Sequence, residues 1–254
     1  MKKTLSFARS FLLRPSEAAD ASARPDAWRP ALVLYALLAL AQLVESWANP
    51  LAFLDPNAPA PLPHRAGFWL AVLLWEPVLM AMSVAFTVVV LDWMSAGWLP
   101  LKTAAATLWA AVPAALAAYY ASRPAADRSW FVGLLAAWTA LTAVQAARVP
   151  RGRWRPVAVF LLGMSAIQLV GLAAEFLLVL PSRSMHVFYA YSIVLLVWVA
   201  ACFGAGMRRL KISPSAARAV LAFVFALIAS SVVPFLAYFL GLMPRAVLKV
   251  VLYV

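Results

Sequence analysis

The sequence is short of nearly everything a water-exposed surface requires. Only 12% of its 254 residues are charged, where soluble domains carry about 25%. Nine acidic residues and two histidines are scattered along the whole chain, so little is available for a carboxylate or imidazole cluster. The one cysteine, Cys202, stands inside an apolar run. A single thiol forms no intrachain disulfide, and here it reads as a small apolar packing residue. There is no G-x-S-x-G elbow ("LLGMSAI" has no glycine two residues past Ser165), no H-E-x-x-H, and no pair of aspartates within an apolar run. His64 and His186 each open an apolar run, but no short ligand spacing joins either to a carboxylate. These absences exclude the familiar hydrolase, metalloprotease and disulfide-scaffold signatures. The chain reads as non-enzymatic, with no cofactor and no structural metal.

What fills the chain is hydrocarbon. Hydrophobic residues make up 66%, and mean hydropathy is +0.90. They come in runs, at about 31–48, 67–91, 103–121, 130–147, 156–180, 187–206 and 217–242. A helix of about 20 residues, rising about 1.5 Å per residue, crosses a hydrocarbon core of about 30 Å. A barrel would instead show alternating segments of about ten residues. The expectation is an all-α, polytopic helical membrane bundle with about seven transmembrane helices. Residues 1–30 form a basic N-terminal segment, 31–243 the membrane domain and 244–254 a C-terminal tail. The longest connection, "NPLAFLDPNAPAPLPHR", holds Pro50, Pro56, Pro59, Pro61 and Pro63. Proline at that density favours extended, solvated chain.

The net charge of +12 has two readings, nucleic acid or membrane orientation. No basic stretch alternates with aromatics in a soluble domain, which argues against nucleic acid. With the N-terminus inside, inner segments hold fifteen Lys and Arg and outer segments six. The clusters "RVPRGRWR" and "MRRLK" then share the inner face, as the positive-inside rule requires. The C-terminus falls outside, and the bilayer is the first partner. Trp28, Trp47, Trp93, Trp98, Trp130 and Trp154 sit where an interfacial aromatic belt would lie. Residues 3–14 place Leu5, Ala8, Phe11 and Leu12 on one helical side with Lys3, Ser6 and Ser10 opposite. That pattern suits a helix lying on an anionic leaflet.

Three glutamates interrupt the oil. Glu45 ends the first span near the outer face; Glu175 lies near the outer end of the fifth. Glu76, in "LLWEPVLMAM", lies roughly 14 Å into the second span at the helical rise. Advancing about 100° per residue, Ser165, Gln168, Leu172 and Glu175 share one quadrant of the fifth helix. The fourth span carries Thr139, Thr142 and Gln145. An ionised group at bilayer depth costs at least about 2.5–3.5 kcal/mol, so such residues face protein or water. Two readings stand: a candidate intramembrane polar site of Glu45, Glu76, Gln168 and Glu175 that takes a proton or cation, or interhelical hydrogen-bonding glue. Pro77, Pro113 and Pro234 are expected to kink their helices, each removing a hydrogen bond to the residue four positions earlier. "AAATLWAAVPAALAA" in the third span is rich in small residues that let neighbouring backbones approach.

Several segments together resemble the Yip family of multi-spanning membrane proteins, especially its bacterial members. These are "FLLRPSEAADASARPDAWRPALVLYALLALAQ", "WLPLKTAAATLWAAVPAALAAYY", and "WFVGLLAAWTALTAVQAARV" followed by "RGRWRPVAVFLL". The resemblance covers about residues 7–180, with a Yip-like membrane region over 31–180 and two additional spans over 187–242. It implies a non-enzymatic protein of membrane organisation or trafficking, in the bacterial inner (cytoplasmic) membrane. Such a protein associates with other membrane proteins or with itself. The D-L-Y-G-P-type motif of eukaryotic members is absent, so Rab-type GTPase binding does not carry over.

Overall fold

The computed structural model describes residues 2–48, 65–123 and 128–252. The proline-rich connection, with His64, lies outside the described residues. Every apolar run forms helix, and seven helices are long and apolar enough to cross a membrane. The protein is thus an all-α integral membrane protein. In chain order the helices are α1 Lys2–Leu13, α2 Pro15–Ala23, α3 Trp28–Ala48, α4 Ala66–Met94, α5 Leu99–Ser122, α6 Ser129–Arg148 and α7 Arg151–Gly163. There follow α8 Ser165–Ala174, a π-helical turn Glu175–Val179, α9 Leu180–Ser182, α10 Met185–Arg209, α11 Ala216–Ser230, α12 Val232–Phe239 and α13 Arg245–Leu252. The fifth span runs from Arg151 to Ser182 and the seventh from Ala216 to Phe239; 61% and 56% of their apolar windows are buried, against 17–28% for the other five. These two are the packed rods, and the rest present most of their surface outward.

The chain divides into two compact units. The first comprises Met1–Leu73 and Ala158–Leu210. Here the N-terminal segment is not a free tail. Helix α1 docks on α3 and α8, and α2 packs on both α1 and α10. The docking is aromatic. Phe7 and Phe11 are buried, and a Cβ at Gly163 would overlap the Phe11 ring. Phe11 meets Phe160 at a tilt of 53° with ring centroids 5.0 Å apart, and the Phe160 ring fills the space above Gly206. Two missing side chains thus admit two rings, and each fully buried Phe adds about 1.5–3 kcal/mol. The expected leaflet helix is therefore seated on protein. Phe7 rather than Leu5 joins Phe11 inside, and Leu5 stays 67% exposed. Polar contacts add Arg209 to Asp20, 3.2 Å, and Lys3 to Asp26, 3.2 Å.

The second unit comprises Leu74–Val157 and Lys211–Val254. Helices α11 and α12 pack on α5, and α12 also packs on α6. Ala117, Phe131, Leu135 and Val232 form a buried cluster there. Phe86 of α4 stacks against Trp138 at 5.4 Å. On the side that carries the chain ends of the second, third, fifth and seventh spans, Asp92 pairs with Arg153. Arg218 donates to the Met94 carbonyl at 2.7 Å and to the Gly97 carbonyl at 2.8 Å. Gly97 has φ +87°, a conformation that glycine adopts without steric cost. The C-terminal tail forms α13, which buries Val247 and Leu248 and packs on α12.

The prolines behave differently from one another. Helices α4 and α5 run through Pro77 and Pro113 without a break in helical span. The unit boundary nonetheless falls at Leu73–Leu74, beside the carbonyl that Pro77 leaves without its helical donor. The seventh span is interrupted at Ser231, three residues before the buried Pro234. Ser230 and Ser231 there donate to the Leu227 and Ile228 carbonyls.

Candidate functional site

The fifth span builds the polar site of the first unit. Its residues Ile167, Gly171, Glu175 and Val179 recur every four positions and are all buried. The helix widens at Glu175–Val179 into a π turn, a device that recurs at functional positions in helices. Glu175 is only 9% exposed. Its side chain hydrogen-bonds Glu45 near the end of α3. A carboxylate only accepts, so such a bond requires one of the two groups to carry the proton and donate it. Both carboxyls lie close enough to the Tyr191 phenol on α10 to act on it electrostatically. The Tyr191 hydroxyl stands 3.1 Å from where a Cβ on Gly171 would be. Glycine one turn before Glu175 thus opens the space in which the phenol approaches the pair.

The structure brings together two of the four expected polar residues and adds a third group. Glu45 and Glu175 meet. Gln168 is half-buried on α8. Ser165 is buried, and its hydroxyl has no hydrogen-bond partner among the described residues. Glu76 belongs to the second unit, where it is half-buried. Tyr191 was not singled out from the sequence; a tyrosine in an apolar run carries no signal by itself. The signal that could have found it is the pairing of Gly171 with Glu175 at one-turn spacing, which asks for a bulky partner on a facing helix.

The fourth span's polar stripe resolves locally. The Thr139 hydroxyl donates to the Leu135 carbonyl at 2.8 Å and the Thr142 hydroxyl to the Trp138 carbonyl at 2.9 Å. Back-bonding of this kind needs no neighbouring helix. Gln145 is exposed and lines a cavity of about 440 Å³ with Asp92, Trp93, Trp109 and Arg148. A second cavity, of about 670 Å³, lies among the residues of α1, α2 and the start of α3. Neither of these two cavities is lined by Glu45, Glu76, Gln168 or Glu175.

Helix α5 presents the other surface of interest. Its small residues form two separate stripes, about 120° apart around the helix at about 100° per residue. Ala106, Ala110 and Ala117 are buried. Ala104, Thr107, Ala115 and Ala118 are exposed, with Ala111 half-buried between them. The spacing of three and four residues keeps each stripe on one helical face.

No protein-family model matches the chain, and no curated protein or solved structure matches it. The reading of its function therefore rests on these residues.

Proposed function

We propose that the protein is a non-enzymatic, Yip-like integral membrane protein of the bacterial cytoplasmic membrane. It acts in membrane organisation through helix-mediated association with a second copy or another membrane protein. The observation that carries this reading is the outward stripe of α5, Ala104, Thr107, Ala111, Ala115 and Ala118. Between helices in lipid there is no hydrophobic driving force, so close backbone approach and van der Waals packing decide association, and small residues permit both. The buried stripe of the same helix already serves its own unit in this way.

The test is energy transfer between donor- and acceptor-labelled chains co-reconstituted in vesicles at high lipid dilution. Transfer persists for the native chain and is lost in Ala111→Leu and Ala115→Leu, which thicken the outward face. A native chain that shows no transfer, and emerges from polymer-extracted discs only as a lone 27.5 kDa species, overturns the reading.

A second reading has its own support. The hydrogen-bonded Glu45–Glu175 pair beside Tyr191 suits a small proton- or cation-coupled transporter, since paired intramembrane carboxyls mark such pathways. Proton and cation fluxes in vesicles decide it. Flux that falls in Glu45→Gln and Glu175→Gln sustains transport; unchanged flux in both variants removes it and leaves the pair as interhelical glue.

A further inference from the structure

The cavity of about 670 Å³ at the N-terminus is walled by α1 and α2 and floored by Ala27 and Pro30, beside the first turn of the first span. That volume is in the range of small-ligand sites, about 300–1,000 Å³. Its chemistry is ionic. Lys3, Arg9, Arg14 and Arg24 line it, against Glu17, Asp20 and Asp26. The carboxylates are already engaged. Asp26 holds Lys3 at 3.2 Å, Glu17 holds Arg14 at 2.6 Å, and Asp20 is taken by Arg209, which is not a lining residue. Lys3 and Arg14 are thus matched within the cavity wall, and Arg9 is the lining cation that carries its excess charge. Arg9 is exposed and meets no carboxylate among the described residues.

Position narrows the ligand. Trp28, 41% exposed, opens α3 immediately beyond the cavity floor, at the depth where interfacial tryptophans stand. From there α3 leaves Leu32, Val33, Leu37 and Leu40 exposed by 40–52%, an apolar track that starts at a basic mouth. A phosphate carried on acyl chains fits both parts at once. Basic pockets at the cytoplasmic ends of membrane helices hold anionic headgroups through the same combination of charge and apolar track.

We propose that the α1–α2 cavity binds a phosphate-bearing anion, the headgroup of an anionic phospholipid whose chains lie along α3, with Arg9 as its principal cation. The site is independent of helix association through α5.

The test is native mass spectrometry of the full chain released from mixed phosphatidylglycerol and phosphatidylcholine discs. One phosphatidylglycerol is retained in preference to phosphatidylcholine. Arg9→Gln weakens that preference about fivefold, the worth of one interfacial cation. Glu17→Gln strengthens it, a gain that misfolding cannot mimic. Arg151→Gln, which removes an exposed cation from another segment, leaves it unchanged. Glycerol phosphate or inorganic phosphate at millimolar concentration separates the sources. Displacement of the lipid by either assigns the site to soluble phosphates as well, and no displacement assigns it to the lipid alone. Equal retention in native, Arg9→Gln and Glu17→Gln chains, or an equal loss in Arg151→Gln, overturns the proposal.

Discussion

Arg209 grips Asp20 with two parallel hydrogen bonds, Nε to Oδ1 and Nη2 to Oδ2, each 3.2 Å, across 189 residues of sequence. Six membrane-crossing helices lie between them. An even number of crossings returns the chain to the side it left, so the pair and the threading agree. Asp92 with Arg153, and Arg218 with the carbonyls of Met94 and Gly97, obey the same parity within the second unit. In a Cys202→Ala background, Arg24→Cys, Gly152→Cys and Lys211→Cys should label with impermeant maleimide from the cytoplasmic side alone. Arg183→Cys and Arg245→Cys should label from the other side alone. Labelling of Gly152→Cys and Lys211→Cys from opposite faces would break the threading.

Phe11 sits in the hollow over Gly163 with no exposed surface, so truncating it empties the α1 dock. Phe11→Ala should cost about 3–5 kcal/mol of docking, and Gly163→Leu should evict the ring from the other side. Both variants should show faster tryptic cleavage after the exposed Lys3 and Arg9 while the spans stay intact. Native cleavage rates in both would mean that the N-terminal helices are held by something else.

Arg218 reaches two backbone carbonyls with two separate guanidinium nitrogens. A lysine ammonium is a point charge and does not reproduce that fork. Arg218→Lys should lower stability by about 1–2 kcal/mol, nearly as much as Arg218→Met. Thermal unfolding in detergent reads the difference. Full retention by lysine would show that charge alone, not the fork, organises the 94–97 loop.

Asp26 carries the clearest pH signature outside the membrane. The Lys3 ammonium, through its hydrogen bond and its charge, holds the Asp26 carboxyl below its ordinary value of 3.8. A depressed carboxyl pKa stabilises the fold above the unfolded value, and that contribution is lost as pH falls through the folded one. Any contribution is therefore intact at neutral pH and fades only in strong acid. Carboxyl NMR should place the Asp26 midpoint below 3.8 in the native chain, with an upward move in Lys3→Gln and in high salt. An unmoved midpoint in Lys3→Gln would dissolve the pair as a working interaction.

Much of the architecture follows from composition along the chain. Lipid leaves no water for backbone groups, so runs such as 67–91 and 217–242 have no stable alternative to helix. Their number and the asymmetry of basic residues follow the same logic. The meeting of Glu45 with Glu175 was partly legible, because both lie near one end of their spans. Two features of the site escape an ideal helical projection. The π turn at Glu175–Val179 resets the register that a fixed angle per residue assumes. Tyr191 enters from another helix because Gly171 has no side chain.

The hydrophobic pattern by itself determined that helices cross a membrane, how many do so, and which ends carry the charge, since these depend only on local transfer free energies. Tertiary packing decided that α1 sits on protein rather than lipid, because Gly163 offers a ring-sized hollow that no periodicity reports. It also decided which stripe of α5 is spent inward and which is left outward. Both stripes are alanine-rich, and only the neighbours that arrive on one side tell them apart.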